Sequence, residues 1–169
     1  PSLGQTHTDE EHNDATPYNG TKSNITKSGS PILLTSYSSS GASGTYDFAH
    51  DGVGYIDTGT TRTIRISSAV TLTRKHGSAV GGSVNWDDIP DNWDTWPGNF
   101  DDLTNETTDF GDYDVVIQLG TSNDASTWSA YATAGGEVTA RYVRFRAVLS
   151  NSTANVSPVV SELTAIAEF

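Results

Sequence analysis

The sequence predicts an all-β fold, an antiparallel, jelly-roll-like sandwich, on the basis of three observations. Hydrophobic residues make up only 34% of the 169 residues, while Gly, Ser, Thr, Asn and Asp are abundant, a composition that suits many short strands joined by tight turns. Several runs alternate apolar and polar residues with the two-residue period of a pleated strand. These runs have strand length and end at turn residues, which is typical of a sandwich.

The clearest strand covers residues 140–149, ARYVRFRAVL. Strict alternation predicts a buried face made of Arg141, Val143, Phe145, Ala147 and Leu149, and an outer face made of Tyr142, Arg144, Arg146 and Val148. A weaker alternation precedes it in YDVVIQL at 113–119, and turn residues follow from 120 to 126. Since the chain is acidic, we expect the three arginines to pair with Asp or Glu on neighbouring strands.

The same pattern divides the chain into an arm and a domain. Further strands are predicted at 32–37, 45–50, 54–59 and 61–74, so the sandwich domain should span residues 31–169. Residues 1–30 have little apolar material and no strand or helix period, which predicts an extended or disordered arm. Within it, HTDEEH at 7–12 could hold a metal between its imidazoles and carboxylates, or it could be a solvated acidic linker.

Residues 85–104 contain an internal repeat of three heptads, NWDDIPD, NWDTWPG and NFDDLTN. Prolines at positions 90 and 97 exclude a continuous helix or a central strand. The repeat is therefore predicted to be a succession of turns, in which Asn and Asp side chains bond to nearby backbone. It forms a long aromatic and acidic loop inserted into the sandwich.

This loop holds the candidate binding residues. Aromatic rings cover the apolar face of a sugar while Asp and Asn accept its hydroxyls, and the candidates are Trp86, Trp93, Trp96, Asp87, Asp94 and Asn92. The alternative is that the tryptophans pack back onto their own sheet. Clustered carboxylates also suit calcium, with Asp87, Asp88, Asp101 and Asp102 as candidate ligands, although such residues equally decorate solvated turns. No other cofactor is expected.

The charge balance limits the partners. With 21 acidic and nine basic residues the formal net charge is −12, which disfavours nucleic acid, anionic lipid and, among sugars, anionic ones. The sequence has no run of about 18 apolar residues that would insert into a membrane. Cysteine is absent, and no serine or histidine motif suggests a nucleophile and its base. We therefore expect a binding or structural protein rather than an enzyme.

Three segments carry a resemblance to known families: SNDASTWSAY at 122–131, ARYVRFRAVL at 140–149 and SELTAIAEF at 161–169. They resemble the closing strands of discoidin-type, galactose-binding-like sandwiches, in which a serine, an aspartate and a core tryptophan, here Trp128, precede an A-R-Y-V-R strand. The run from YDF at 46 to SEL at 161 is similar to the C-terminal sandwich of phage tail-tip and central-fibre proteins of the host-specificity type, which carry a related aromatic, Asp-rich repeat.

The phage resemblance implies a structural or attachment module of a tail tip or fibre, extracellular as part of the virion. Its expected partners are other copies of itself, as a trimer, and other tail proteins, with host-surface carbohydrate as a candidate receptor. The discoidin-like strands alone equally support an accessory carbohydrate-binding domain of a secreted bacterial enzyme. The heptad loop at 85–104 favours the phage alternative.

Overall fold

A computed structural model describes residues 5–12, 18–27, 31–76, 113–154 and 156–169, and it confirms the all-β prediction. All pairings between its strands are antiparallel. Apart from strands, these ranges contain a short 3-10 turn and no α-helix that could cross a membrane. The strands are β1 (Thr6–His12), β2 (Thr21–Ser23), β3 (Ile25–Lys27), β4 (Ile32–Leu34), β5 (Ser43–Asp47), β6 (Ile56–His76), β7 (Tyr113–Ser122), β8 (Ala132–Thr133), β9 (Gly136–Asn151) and β10 (Val156–Glu168).

The sheet curls until it is nearly closed. Its strand order is β2-β5-β9-β6-β10-β4-β3, with β1 added to β10, and β7 and β8 added beside β9. Strand β6 is long enough to serve two partners, since residues 56–66 pair with β9 and residues 65–76 pair with β10. Because β2 and β3 are consecutive in the chain, the two ends of this order meet. The result is a barrel-like sandwich.

Asn24 makes the corner between β2 and β3. Its φ of 52° is a left-handed conformation that Asn tolerates better than most residues. The side-chain Nδ2 donates to the Ser43 carbonyl at 2.7 Å, and the Asn24 carbonyl accepts the Thr35 N–H at 3.0 Å. One residue thus directs β2 toward β5 and β3 toward β4.

The core confirms most of the alternation predicted for β9. Buried side chains occur at every second position, namely Val143, Phe145, Ala147 and Leu149. Arg141, predicted on the same face, does not belong to it, because Ala140 is buried instead and the Arg141 side chain is 39% exposed. The physical reason is an irregularity in the partner strand β6 between Asp57 and Arg62, which shifts the register opposite this point and changes the phase of the pleat.

The first thirty residues differ from the predicted arm wherever the structure describes them. Strand β1 pairs with β10 along its whole length, and β2 and β3 pair with β5 and β4. Tyr18 and Ile25 are buried in the core, and the Tyr18 hydroxyl donates to the Val160 carbonyl at 3.1 Å. Backbone pairing needs no apolar period, and two isolated anchors produce none. The sheet of the sandwich therefore includes these three strands.

Candidate functional site

The residues that the sequence singled out for sugar or calcium binding lie outside the described ranges, and so does the whole heptad loop. They are Trp86, Asp87, Asp88, Asn92, Trp93, Asp94, Trp96, Asp101 and Asp102. The HTDEEH run lies in β1. Within the described ranges, no three His, Asp or Glu side chains come together in a way that could hold a metal ion.

The candidate site that the structure does describe lies on the outer face of β9. Here two arginines of the strand meet two aromatic side chains from the connection between β7 and β8. The Arg144 guanidinium carbon lies 4.4 Å from the centre of the Trp128 ring and 4.7 Å from that of Tyr131, and the Arg146 carbon lies 4.1 Å from the Tyr131 ring. We call Trp128, Tyr131, Arg144 and Arg146 the arginine stack.

Gly120 makes room for this arrangement. It lies opposite Arg144 in the pairing of β7 with β9, so a side chain at position 120 would share the outer face with Arg144. A Cβ at this position would lie 3.0 Å from Arg144 Nε and 3.3 Å from its Cγ. A side chain at position 120 would therefore crowd Arg144, and its absence lets the arginine lie close over β7.

A compact turn positions Trp128. One Asp124 carboxylate oxygen accepts the N–H groups of Thr127 at 2.7 Å and Ser126 at 2.9 Å, as well as the Ser122 hydroxyl at 3.0 Å. These bonds favour the ionised form and hold the pKa of Asp124 well below its usual range, with the Thr127 bond the largest cause. The indole Nε1 donates to the Ala125 carbonyl at 3.2 Å, so the ring is fixed by the turn that precedes it.

Trp128 differs from the core residue that the discoidin resemblance implied. It is half-buried, lies over Arg144, and meets Tyr55 with ring centres 5.8 Å apart. Tyr55 in turn contacts the Tyr142 ring edge-on at 5.5 Å. Trp128 therefore joins an aromatic surface at the outside of the sheet, where a ligand could reach it.

Two of the three arginines confirm the predicted pairing with acidic residues. Arg146 binds both carboxylate oxygens of Asp47, at 2.6 and 3.3 Å, and Arg141 binds both of Asp57, at 2.9 and 3.0 Å. Arg144 differs, since none of the ion pairs in the described part of the chain includes it. Its Nε is also buried without a hydrogen-bond acceptor.

Tyr131 connects the stack to the Asp47 ion pair. Its hydroxyl donates to Asp47 Oδ1 at 3.4 Å. Burial, together with the negative charge of Asp47, raises the pKa of Tyr131 above its ordinary value. The phenol therefore stays protonated at neutral pH and can serve as a hydrogen-bond donor.

The same connection between β7 and β8 also lines a polar cleft of about 270 Å³. Hydroxyl, amide and carboxylate groups line it together with their apolar stems, which suits a ligand that has both hydroxyl groups and an apolar face. Asn123 is held in place there because its Oδ1 accepts the Arg141 N–H and the Thr61 hydroxyl, each at 3.1 Å. The cleft is lined by Thr121, Ser122, Asn123, Asp124, Thr127, Thr139 and Ala140.

Comparison of the chain with protein-family models, with curated proteins and with solved structures found no match. Its function must therefore be argued from its own residues. The sequence did carry a signal for the stack, because Arg144 and Arg146 alternate on the outer face of a predicted strand. What it lacked was the position of Trp128 and Tyr131 above that face, which depends on the Asp124 turn.

Proposed function

We propose that this chain is a non-catalytic attachment module of a phage tail tip or fibre, and that it contacts host-surface carbohydrate through the outer face of β9. The arginine stack carries the proposal. It offers an aromatic surface next to fixed hydrogen-bond donors, which is the combination that sugar recognition requires. The polar cleft formed by the same connection supplies further partners for hydroxyl groups.

The assignment to a phage tail is supported by the sequence resemblance of residues 46–163 and by the heptad loop at 85–104. In such a particle the module is proposed to assemble as a trimer with other copies of itself and to contact other tail proteins. Sedimentation of the chain at micromolar concentration tests the oligomer. A monodisperse monomer would count against the trimer but would leave the sugar-binding surface in place.

The second candidate function is an accessory carbohydrate-binding domain of a secreted bacterial enzyme, and the same surface supports it. The two candidates differ in what they bind. An attachment module should bind whole cells of its host and release when the surface glycan is removed, whereas an accessory domain should bind the isolated polysaccharide that its enzyme degrades. The neighbouring open reading frames, for a tail protein or for a hydrolase, give an independent answer.

A whole-cell and glycan binding assay tests the site itself. Trp128→Ala should weaken binding strongly, because the ring provides contact area and holds Arg144 in place. Thr73→Ala, an exposed position on β6, serves as the matched surface control. The double variant Trp93→Ala, Trp96→Ala tests the heptad loop separately. Wild-type binding by a folded Trp128→Ala variant would refute the role of the arginine stack.

A further inference from the structure

We propose that Arg144 recognises a carboxylate, so that the ligand class is an acidic saccharide of the uronic-acid type rather than a neutral sugar. This inference rests on the proposed function, because it names the ligand of the same surface. The three arginines of β9 differ in their partners. Arg141 and Arg146 each have a bidentate aspartate, and Arg144 has two aromatic rings.

The hydrogen-bonding capacity of Arg144 is unused. A guanidinium carries five N–H donors in a planar fork that matches a carboxylate. The described residues supply no hydrogen bond to the Arg144 guanidinium, and Nε is the atom that is buried without a partner. The two terminal Nη atoms, which carry the other four N–H donors, are not enclosed in this way.

The position of this fork is set before any ligand arrives. Trp128 and Tyr131 hold the guanidinium carbon at 4.4 and 4.7 Å from their ring centres, and Gly120 provides the space beneath it. A flexible arginine loses side-chain freedom when it binds a ligand, and a side chain already held in place loses less. Arg144 is thus prepared for a planar anion, whereas a water-exposed arginine on a free stem would not be.

The net charge of −12 predicted that anionic sugars would be repelled. At this site, however, that repulsion is weak. Charges farther away than about 8 Å are largely screened at physiological ionic strength. Close to Arg144, the aspartate charge of Asp47 is balanced by Arg146 at 2.6 Å. The Arg144 guanidinium is therefore the cation without an acidic partner within the arginine stack. The ionised Asp124 carboxylate of the cleft is engaged by the Ser122 hydroxyl and by the N–H groups of Ser126 and Thr127.

A saccharide fits the surroundings better than an acidic peptide does. The connection that supplies Trp128 and Tyr131 also supplies the hydroxyl and amide groups of the polar cleft, through Ser122, Asn123 and Thr127. A sugar offers hydroxyls for such a wall and an apolar face for a ring, together with a carboxylate in the uronic acids. A peptide that binds by strand addition needs a sheet edge, and the stack lies on a sheet face.

The experiment compares methyl glucuronoside and methyl galacturonoside with their neutral parents, methyl glucoside and methyl galactoside, by NMR titration of the full chain. We expect the uronosides to bind about tenfold tighter or more than the parents, as a charge-assisted pair implies. The Arg144 Nε–H signal should move during the uronoside titration. Arg144→Gln should abolish the difference between acid and parent, Arg144→Lys should reduce it, and Arg141→Gln, on the same strand, should keep it.

Each outcome decides the inference. Equal binding of acidic and neutral sugars, or an unchanged preference in Arg144→Gln, refutes the carboxylate assignment while the proposed sugar-binding function stands. Binding of an acidic peptide with no binding of any of the sugars refutes both. If Arg144→Gln does not fold, Arg144→Met replaces it, because methionine keeps an unbranched stem at this position and removes every guanidinium N–H donor. An undiminished acid preference in that variant contradicts the assignment.

Discussion

Replacing Phe145 by alanine tests the two faces of β9 most directly. The ring is 2% exposed and meets the Phe48 ring at 6.0 Å in an edge-to-face contact. Loss of a buried ring of this size, with the cavity that remains, destabilises a protein by about 3 to 5 kcal/mol. We expect a value in this range for Phe145→Ala.

The comparison variant is Arg144→Ala, one residue away on the same strand, so that effects of strand propensity are similar. It removes two cation–π contacts, each worth about 0.5 to 1 kcal/mol. It also removes the buried Nε donor that has no acceptor, which returns about 1 to 3 kcal/mol of desolvation penalty. These two effects largely cancel, so the expected loss is about 1 kcal/mol or less.

Urea titration measures both variants. With a slope of about 1 to 3 kcal/mol per molar urea, the two midpoints should differ by about 1 molar or more. The slopes must agree with the wild type for the midpoints to report stability alone. Equal losses for the two variants would contradict the assignment of Phe145 to the core face and of Arg144 to the outer face.

Three further predictions concern other parts of the fold. Asn24→Ala should destabilise the protein by about 1 to 2 kcal/mol, because the backbone at this position is left-handed. Asn24→Gly should destabilise it less. Equal melting temperatures for the two variants would argue against the role of Asn24 at the corner between β2 and β3. The pKa of Asp124 is lowered from 3.8, so its contribution to the free energy of unfolding is present above that pH and is lost as the pH falls below it. Below pH 3.8, the stability of Asp124→Asn should therefore depend less on pH than that of the wild type. An unchanged pH profile would count against the turn. Slow and fast amide exchange should alternate along β1. Because the Gln5 N–H donates to the Phe169 carbonyl, the protected amides should be those of Gln5, His7, Asp9 and Glu11. Uniformly fast exchange would contradict the pairing with β10.

The sequence predicted the fold class because its strongest signal, the alternation of β9, reflects burial. It could not predict the place of Arg141, since the irregularity that shifts the register lies in another strand, β6, between Asp57 and Arg62. A pattern within one strand contains no information about the pairing of its neighbour. The resulting error concerns one end of β9 and leaves Phe145 unaffected.

Strand β1 was missed for a different reason. Its residues, THTDEEH, contain almost no apolar side chains. It pairs with β10 through its backbone, and the His7 ring stacks on the Phe169 ring at 6.0 Å. The arginine stack lies between these cases. Alternation placed Arg144 on the outer face, but only the three-dimensional turn at Asp124 brings Trp128 over it.

The pairing of β1 with β10 has a mechanical consequence. Gln5 and Phe169 exchange two backbone hydrogen bonds, at 2.7 and 2.8 Å, at the open end of this antiparallel pair. A force that separates these two residues loads the bonds one after another, as in opening a zipper, rather than all together in shear. Because β1 lies outside the nearly closed ring of strands, it should peel away at low force and lengthen the chain while the ring stays intact. Tension applied there would be absorbed as extension before it reached the outer face of β9.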